Sequence, residues 1–126
     1  MNKSLLPSGW PAPPTYSHAY EVTSPGKTVY VSGQVGVAPD GTTPKDISGQ
    51  ARQAYSNVKA VLAEAGLGIE QIVKATVFLV NPADVAEFAK VRTEFLAGHK
   101  PASTLVIAKQ LLREEWLVEI EVVACG

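Results

Sequence analysis

Two glutamates near the end of the chain are the first residues whose type and spacing could support chemistry. Glu119 and Glu121 alternate with apolar residues in what is predicted to be a strand, so the two carboxylates share one face. A carboxylate that lies in a cleft can orient or polarise a water molecule as a general base. The same pattern on an edge strand is also typical of residues that simply face solvent, and the spacing leaves both interpretations open.

An arginine on the second predicted helix is the next candidate. Arg92 follows Val85 by seven residues and Phe88 by four, which places it on the apolar side of that helix. A guanidinium there needs an anionic partner or a polar cavity, because an unpaired buried charge is costly. The alternative is an arginine at the edge of this side, with its stem packed and its head in water.

Four further residues could contribute to a binding site. Tyr16 follows a proline-rich segment that would fix its ring, although a packed aromatic with a surface hydroxyl fits equally well. Gly33, next to Ser32, interrupts a predicted strand, where a glycine indicates a bulge or a close contact with backbone or ligand. The hydroxyl of Ser103 opens another strand, and hydroxyls in that position are usually structural.

Several other classes of function are disfavoured. The soft metal ligands, His18, His99 and Cys125, lack metal-site spacing, so a metal is not expected. Eleven basic against twelve acidic residues argue against a nucleic-acid partner. No apolar run is long enough to span a membrane, the first residues do not resemble a secretory signal, and the single cysteine rules out an internal disulfide; we therefore expect a cytoplasmic protein.

The elements that must position these residues form one predicted domain, 1–126, with an irregular lead-in at 1–14. Periodicity predicts the element order β-β-α-β-α-β-β, and short connections then favour a mixed sheet with two helices on one face. Val29, Val31, Val35 and Val37 are predicted to share a face of the second strand. The sheet then holds more apolar surface than two helices can cover, which predicts a homo-oligomer. The predicted strands are 16–22, 28–37, 72–80, 103–108 and 117–124, and the predicted helices are 48–65 and 81–98.

The sequence resembles the Rid family, the reactive intermediate deaminases also called YjgF proteins. The resemblance extends from about Tyr16 to Ala124, and the order and spacing of several short motifs carry it. These motifs are Tyr16-Ser17-His18-Ala19, Val31-Ser32-Gly33-Gln34, Gln50-Ala51-Arg52-Gln53-Ala54, Asn57-Val58-Lys59, Ile72-Val73-Lys74-Ala75-Thr76-Val77-Phe78-Leu79, Pro101-Ala102-Ser103 and Val118-Glu119-Ile120-Glu121.

This resemblance implies a chorismate-mutase-like α+β fold and a homotrimer whose sheets pack into a central barrel, with ligand clefts between subunits. It implies hydrolysis of 2-imino acids to 2-oxo acids and ammonia, without metal or organic cofactor. By position, Glu119 matches the glutamate that orients water, Tyr16 the cleft tyrosine, and Ser32 with Gly33 the strand pair.

One position departs from the family pattern. Ser103 stands where the deaminases carry an arginine that grips the substrate carboxylate, and a hydroxyl cannot reproduce a bidentate, charge-assisted grip. Arg92 could supply that cation from the other wall of the cleft. The resemblance thus leaves three readings: a deaminase acting on an imine or enamine of a small anionic metabolite, a non-catalytic carboxylate-binding protein, or a chaperone-like interaction protein. The charge balance and the lack of an acid–base pair of histidines disfavour RNA cleavage, which family descriptions also mention.

Overall fold

The computed structural model describes residues 2–126, which form a four-stranded mixed sheet with two helices on one face. The elements are β1 (Asn2–Leu5), β2 (Ala19–Val22), β3 (Thr28–Val35), α1 (Ile47–Glu64), β4 (Ile72–Leu79), α2 (Val85–Leu96), β5 (Ala102–Ile107) and β6 (Val118–Cys125), with short 3-10 turns at Ile69–Gln71 and Pro82–Asp84. The strands of the main sheet stand in the order β3-β6-β4-β5, and a separate pair, β1 and β2, lies beside them. Buried residues of both helices and of β3, β4 and β6 form one core.

The mixed topology confirms the predicted α+β class. Strands β4 and β5 are parallel and are joined through α2, whereas β6 runs antiparallel to both β3 and β4. A parallel pair needs such a crossover connection, and here the helix supplies it. The strand ladder places the N-terminal end of β5 beside the chain segment that follows α2.

The local signals at the helix ends explain where the helices lie. The backbone turns left-handed at Gly66, directly after Ala65, the C-cap residue of α1, and a glycine adopts this conformation without a steric clash. The Asn81 side chain accepts a hydrogen bond of 2.9 Å from the Ala83 amide and so caps the turn that leads into α2. The predicted first helix, 48–65, agrees with α1 to within one residue at each end.

A bulge in β3 corrects the predicted faces of that strand. Val29 and Val31 pair with Ala124 and Val122 on the helix-covered face, but the register shifts before Gln34. Val35 therefore pairs with Glu119 on the opposite, open face. An extra residue in one strand reverses the alternation beyond it, which a continuous period-two pattern cannot show.

The predicted irregular lead-in at 1–14 is also wrong for its first residues. Asn2–Leu5 form strand β1 and pair antiparallel with β2. The segment has no apolar alternation, so local pattern gave no signal, and pairing with β2 supplies the order. Strand β2 lies in this separate pair rather than in the main sheet, and it is shorter than the predicted strand 16–22.

The two faces of the main sheet differ in character. On the helix-covered face, Val77, Leu79, Val118 and Ile120 have no exposed surface. The open face carries a mixture of polar and apolar side chains, and its Tyr30 is 79% exposed. Every functional candidate from the last strand lies on this open face, because Glu119 and Glu121 alternate with the buried residues.

Candidate functional site

Glu119 lies directly against the bulge in β3, and we call this arrangement the Glu119 site. A Cβ atom placed on Gly33 would come within 2.7 Å of Glu119 Cδ and 2.9 Å of its Cγ, and closer still to Oε1. Only a glycine leaves room for the carboxylate at this distance. Glu119 pairs with Val35 of β3 on one side and with Phe78 of β4 on the other, and this pairing fixes the position of its backbone.

Ser32 is the other residue of the bulge and is exposed on the same open face. It lines a depression of about 290 Å³ together with Glu121 and Lys74. The ammonium group of Lys74 donates a hydrogen bond of 2.8 Å to the Thr104 hydroxyl. Glu119, Ser32 and Gly33 thus lie on the same open face of the sheet, although the depression itself is lined by Ser32 and not by Glu119 or Gly33.

Tyr16 lies elsewhere, in a depression that we call the Tyr16 pocket. This pocket has a volume of about 290 Å³ and lies between the N-terminal segment and the turn after α2. The ring of Tyr16 is 38% exposed and makes an edge contact with His18, with 5.6 Å between ring centroids. The residues that line the Tyr16 pocket are Ser4, Leu5, Leu6, Ala12, Pro13, Tyr16, Ser17, His18, Tyr20, Gly98, His99 and Lys100.

Arg92 lines a smaller neighbouring depression of about 50 Å³, the Arg92 pocket. Its guanidinium carbon lies 5.6 Å from the centre of the Phe88 ring, in cation–π geometry. Its buried Nε atom has no hydrogen-bond partner among residues 2–126. Burial raises the pKa of the Tyr55 hydroxyl well above its ordinary value, and the positive charge of Arg92 acts in the opposite direction.

Ser103 takes a third position. It pairs with Ala75 in the parallel ladder, so its side chain shares the helix-covered side of the sheet and is half-buried. Ala102, the residue before Ser103, forms a parallel β-bridge with Ser17, which lines the Tyr16 pocket. Ser103 is therefore adjacent in sequence to a residue that contacts the wall of that pocket. The pockets lined by Tyr16 and Arg92 include neither Ser103 nor Glu119.

The segment 98–100 is the feature that sequence reasoning missed. Gly98, His99 and Lys100 line both the Tyr16 pocket and the Arg92 pocket and thus connect them. The His99 ring nitrogen Nε2 lies 2.7 Å from the Ile72 carbonyl oxygen. In the sequence, His99 and Lys100 directly follow the predicted end of the second helix, and this was the one signal for a binding site there. The pockets themselves form only because the N-terminal segment packs against these residues in the fold.

Two further findings concern the whole of the described chain. Residues 2–126 contain no helix that is long and apolar enough to cross a membrane. Over the same residues, no three histidine, cysteine, aspartate or glutamate side chains are grouped so that they could hold a metal ion.

Comparison with known proteins places these features in a wider context. The family described as Endoribonuclease L-PSP matches residues 10–125 of this chain. The 2-iminobutanoate/2-iminopropanoate deaminase of Escherichia coli is 37% identical over 103 residues, which are 79% of this chain and 80% of that protein. The family match at 10–125 includes the Glu119 site and the Arg92 pocket, whereas Ser4, Leu5 and Leu6 of the Tyr16 pocket lie outside it.

Solved structures show the same fold. The Rid protein YyfB from Yersinia pestis, described as of unknown function, superposes with a TM-score of 0.87 at 31% identity and covers 99% of this chain and 98% of its own. TdcF from E. coli, solved with bound serine, superposes with a TM-score of 0.76 at 34% identity and covers 88% and 87%. The architecture seen here is thus shared at sequence identities above 30%.

Proposed function

The chain belongs to the Endoribonuclease L-PSP family, which includes the Rid deaminases, and from this premise we propose that it hydrolyses an imine or enamine of a small anionic metabolite to a carbonyl compound and ammonia. We propose that the reaction takes place in a cleft completed between the subunits of a homotrimer. Glu119 is the catalytic residue, and Tyr16, Ser32, Gly33 and Arg92 form the substrate-binding walls. No metal or organic cofactor takes part.

The observation that carries this proposal is the position of the Glu119 carboxylate against the bulge. The absence of a side chain at Gly33 leaves room for the Glu119 carboxylate to lie against the bulge. In the proposed reaction the water molecule and the planar imine carbon approach this carboxylate from the open face of the sheet. Backbone groups of the bulge at Ser32 and Gly33 are not all used by the regular ladder, because the register shifts there. The Ser32 carbonyl accepts a hydrogen bond of 3.1 Å from the Gln34 side chain, which a substrate would have to displace to use this group.

A second copy of the chain is needed to complete the cleft. Within one subunit, Tyr16 and Arg92 line pockets that do not include Glu119, Ser32 or Gly33. The half-buried residues of the open face, Thr76 and Phe78, and the exposed Tyr30 offer a surface that a neighbouring sheet could cover. Such packing would bring the Glu119 site of one subunit towards the pockets of another.

The anion grip is assigned to Arg92 because Ser103 cannot supply it. A guanidinium forms charge-assisted hydrogen bonds to a carboxylate, and its loss would weaken binding about 10- to 150-fold. Arg92 has an unpartnered buried Nε and no carboxylate within ion-pair distance among residues 2–126. It is therefore free to accept an anionic ligand from the Arg92 pocket.

The reaction balances without a redox partner. Water adds through its oxygen to the imine carbon, and Glu119 accepts the proton that the water loses. The nitrogen is protonated, the carbon–nitrogen bond then breaks with its electron pair leaving on nitrogen, and ammonia departs as the carbonyl forms. Each proton that Glu119 takes up is returned within the cycle.

The test is to generate 2-imino acids in situ with an amino acid oxidase and to follow imine decay and ammonia release. We expect wild type to accelerate hydrolysis and Glu119→Gln to lower the rate by about 10²- to 10⁴-fold. Glu64→Gln is the control, because it makes the same change at an exposed position at the end of α1, and it retains the wild-type rate. Equal rates for wild type and Glu119→Gln would contradict the proposal.

Restoring the family arginine separates chemistry from binding. If Ser103→Arg gains hydrolysis of simple 2-imino acids that wild type does not hydrolyse, the cleft is intact and the native substrate is a different one. The serine at position 103, where the deaminases carry an arginine, also favours a second function, a carboxylate-binding protein without turnover. Saturable binding of 2-oxo acids without acceleration of any imine would support that alternative.

A further inference from the structure

The two connected pockets at the end of α2 carry an excess of positive charge. Arg92 lines the Arg92 pocket, and Lys100 lines both pockets. Neither lining includes an aspartate or a glutamate, although the whole chain has a formal charge of −1. The positive charges are therefore concentrated here without acidic groups in the same walls to balance them.

Arg92 is held with its charge unpaired. The Phe88 ring, fully buried, lies 5.6 Å from the guanidinium carbon and supports it from one side. The buried Nε donor has no partner among the described residues, and a buried donor without a partner costs free energy until a ligand satisfies it. The small volume of this pocket, about 50 Å³, suits one compact anionic group.

Lys100 is positioned towards the other pocket. Its backbone is fixed because the buried Ser17 donates its hydroxyl hydrogen bond to the Lys100 carbonyl, and the Ser17 amide donates to the Pro101 carbonyl at 3.0 Å. Its Nζ donates to the carbonyl of Pro13, a wall residue of the Tyr16 pocket, at 3.3 Å. An ammonium group has three N–H donors, so two remain for a ligand.

We propose that the ligand of these pockets is a dianion, a short 2-imino or 2-oxo dicarboxylate whose two carboxylates are held separately. The first carboxylate binds Arg92 in the Arg92 pocket, and the distal one binds Lys100 in the Tyr16 pocket. This inference rests on the proposed function, because it names the substrate class of the same cleft. A monocarboxylate would leave the Lys100 ammonium unpaired and would lose the second charge-assisted contact.

The experiment measures equilibrium binding of stable 2-oxo acids to the full-length protein at fixed ionic strength. The ligand pair is 2-oxoglutarate and 2-oxopentanoate, which have the same carbon chain but differ in the distal carboxylate. We expect wild type to bind 2-oxoglutarate at least about tenfold more tightly. Lys100→Met should weaken 2-oxoglutarate much more than 2-oxopentanoate and so reduce this ratio to near one, whereas Arg92→Met should weaken both ligands.

Lys59→Met is the matched control, because it removes the same charge from an exposed position on α1. It should keep the wild-type preference, which separates local contact from long-range attraction. Equal affinity of wild type for the two ligands, binding of neither, or a preference that survives Lys100→Met would overturn the inference. Turnover of monocarboxylic imines without any preference for dianions would overturn it while leaving the proposed function standing, and selective binding without turnover of any imine would do the reverse.

Discussion

The Glu119 site and the pockets at the end of α2 are built in opposite ways. Glu119 lies on β6, between β3 and β4, and its backbone pairs with Val35 on one side and Phe78 on the other. The Arg92 and Tyr16 pockets are instead formed where an irregular N-terminal segment returns to the turn at 98–100. The first region is held by a continuous backbone ladder. The second is held by a few isolated contacts, among them the hydrogen bond from the Ser17 amide to the Pro101 carbonyl and the one from Lys100 Nζ to the Pro13 carbonyl.

This difference indicates that the Glu119 site serves catalysis and that the two pockets serve ligand binding. The backbone of Glu119 is fixed on both sides, which suits a general base, because proton transfer depends on the orientation of the carboxylate. Small displacements of a general base lower the reaction rate strongly. A pocket closed by loops is the usual place for affinity and selectivity, which vary without disturbing the scaffold. Substitutions at the Glu119 site should therefore change kcat, and substitutions at the pockets should change ligand affinity.

The largest expected effect follows from Gly33→Ala. The new methyl group would lie within 2.7 Å of Glu119 Cδ, so the carboxylate must move away from the bulge. We expect the imine-hydrolysis rate to fall by about 10²-fold, within the range that general-base catalysis contributes. The fold should persist, because the carboxylate is the flexible end of a side chain on the open face. Steady-state kinetics and a melting curve measure both quantities.

A double-mutant cycle with Glu119→Gln gives the control. If Gly33→Ala acts only by displacing the carboxylate, it should add no further loss to the Glu119→Gln protein. Independent, additive losses would mean that Gly33 matters for a reason other than the space it leaves to Glu119.

The same contrast explains how much could be predicted from the sequence. The alternation of Glu119 and Glu121 with buried residues correctly predicted their shared face, because strand periodicity is local. The position of Val35 was predicted wrongly, since the bulge is a two-strand property and reverses the pattern beyond Val31. The pockets could not be predicted, because Lys100 and Pro13 are distant in sequence and meet only in the fold.

An intermediate effect is expected for Phe88→Leu, which sharpens the comparison from the side of the pockets. The leucine keeps most of the core volume, so the free energy of unfolding should fall by less than about 1.5 kcal/mol. It removes the ring beneath Arg92, and cation–π contacts contribute about 0.5–1 kcal/mol. We expect binding of 2-oxoglutarate to weaken roughly two- to fivefold, as measured by calorimetric titration, with little change in kcat.

Phe95→Leu is the matched control for that change. The ring of Phe95 stacks on Tyr55 with 5.2 Å between ring centroids, and the ring of Phe88 does so at 6.1 Å. The Arg92 guanidinium lies over the Phe88 ring. Substitution of Phe95 should lower stability without weakening the ligand. Equal losses of affinity in the two variants would show that the core, rather than the ring under Arg92, governs the pocket.

The smallest effect belongs to Arg52→Gln, which lies outside both regions. Arg52 joins α1 to α2 through Glu94, and its hydrogen bond and charge lower the pKa of that carboxyl. A carboxyl with a lowered pKa in the folded state stabilises the fold above its unfolded pKa, and the contribution is lost as pH falls through the folded value. The melting temperature of Arg52→Gln should therefore lie slightly below that of wild type at neutral pH. The difference should close as the pH falls below 4.5, the ordinary pKa of this carboxyl, and through its lowered value in the folded state. It should be small because both side chains are about half exposed. Hydrolysis and 2-oxo acid affinity should equal the wild-type values; a change in either would mean that the α1–α2 contact controls one of the two regions, and their separation would then be wrong.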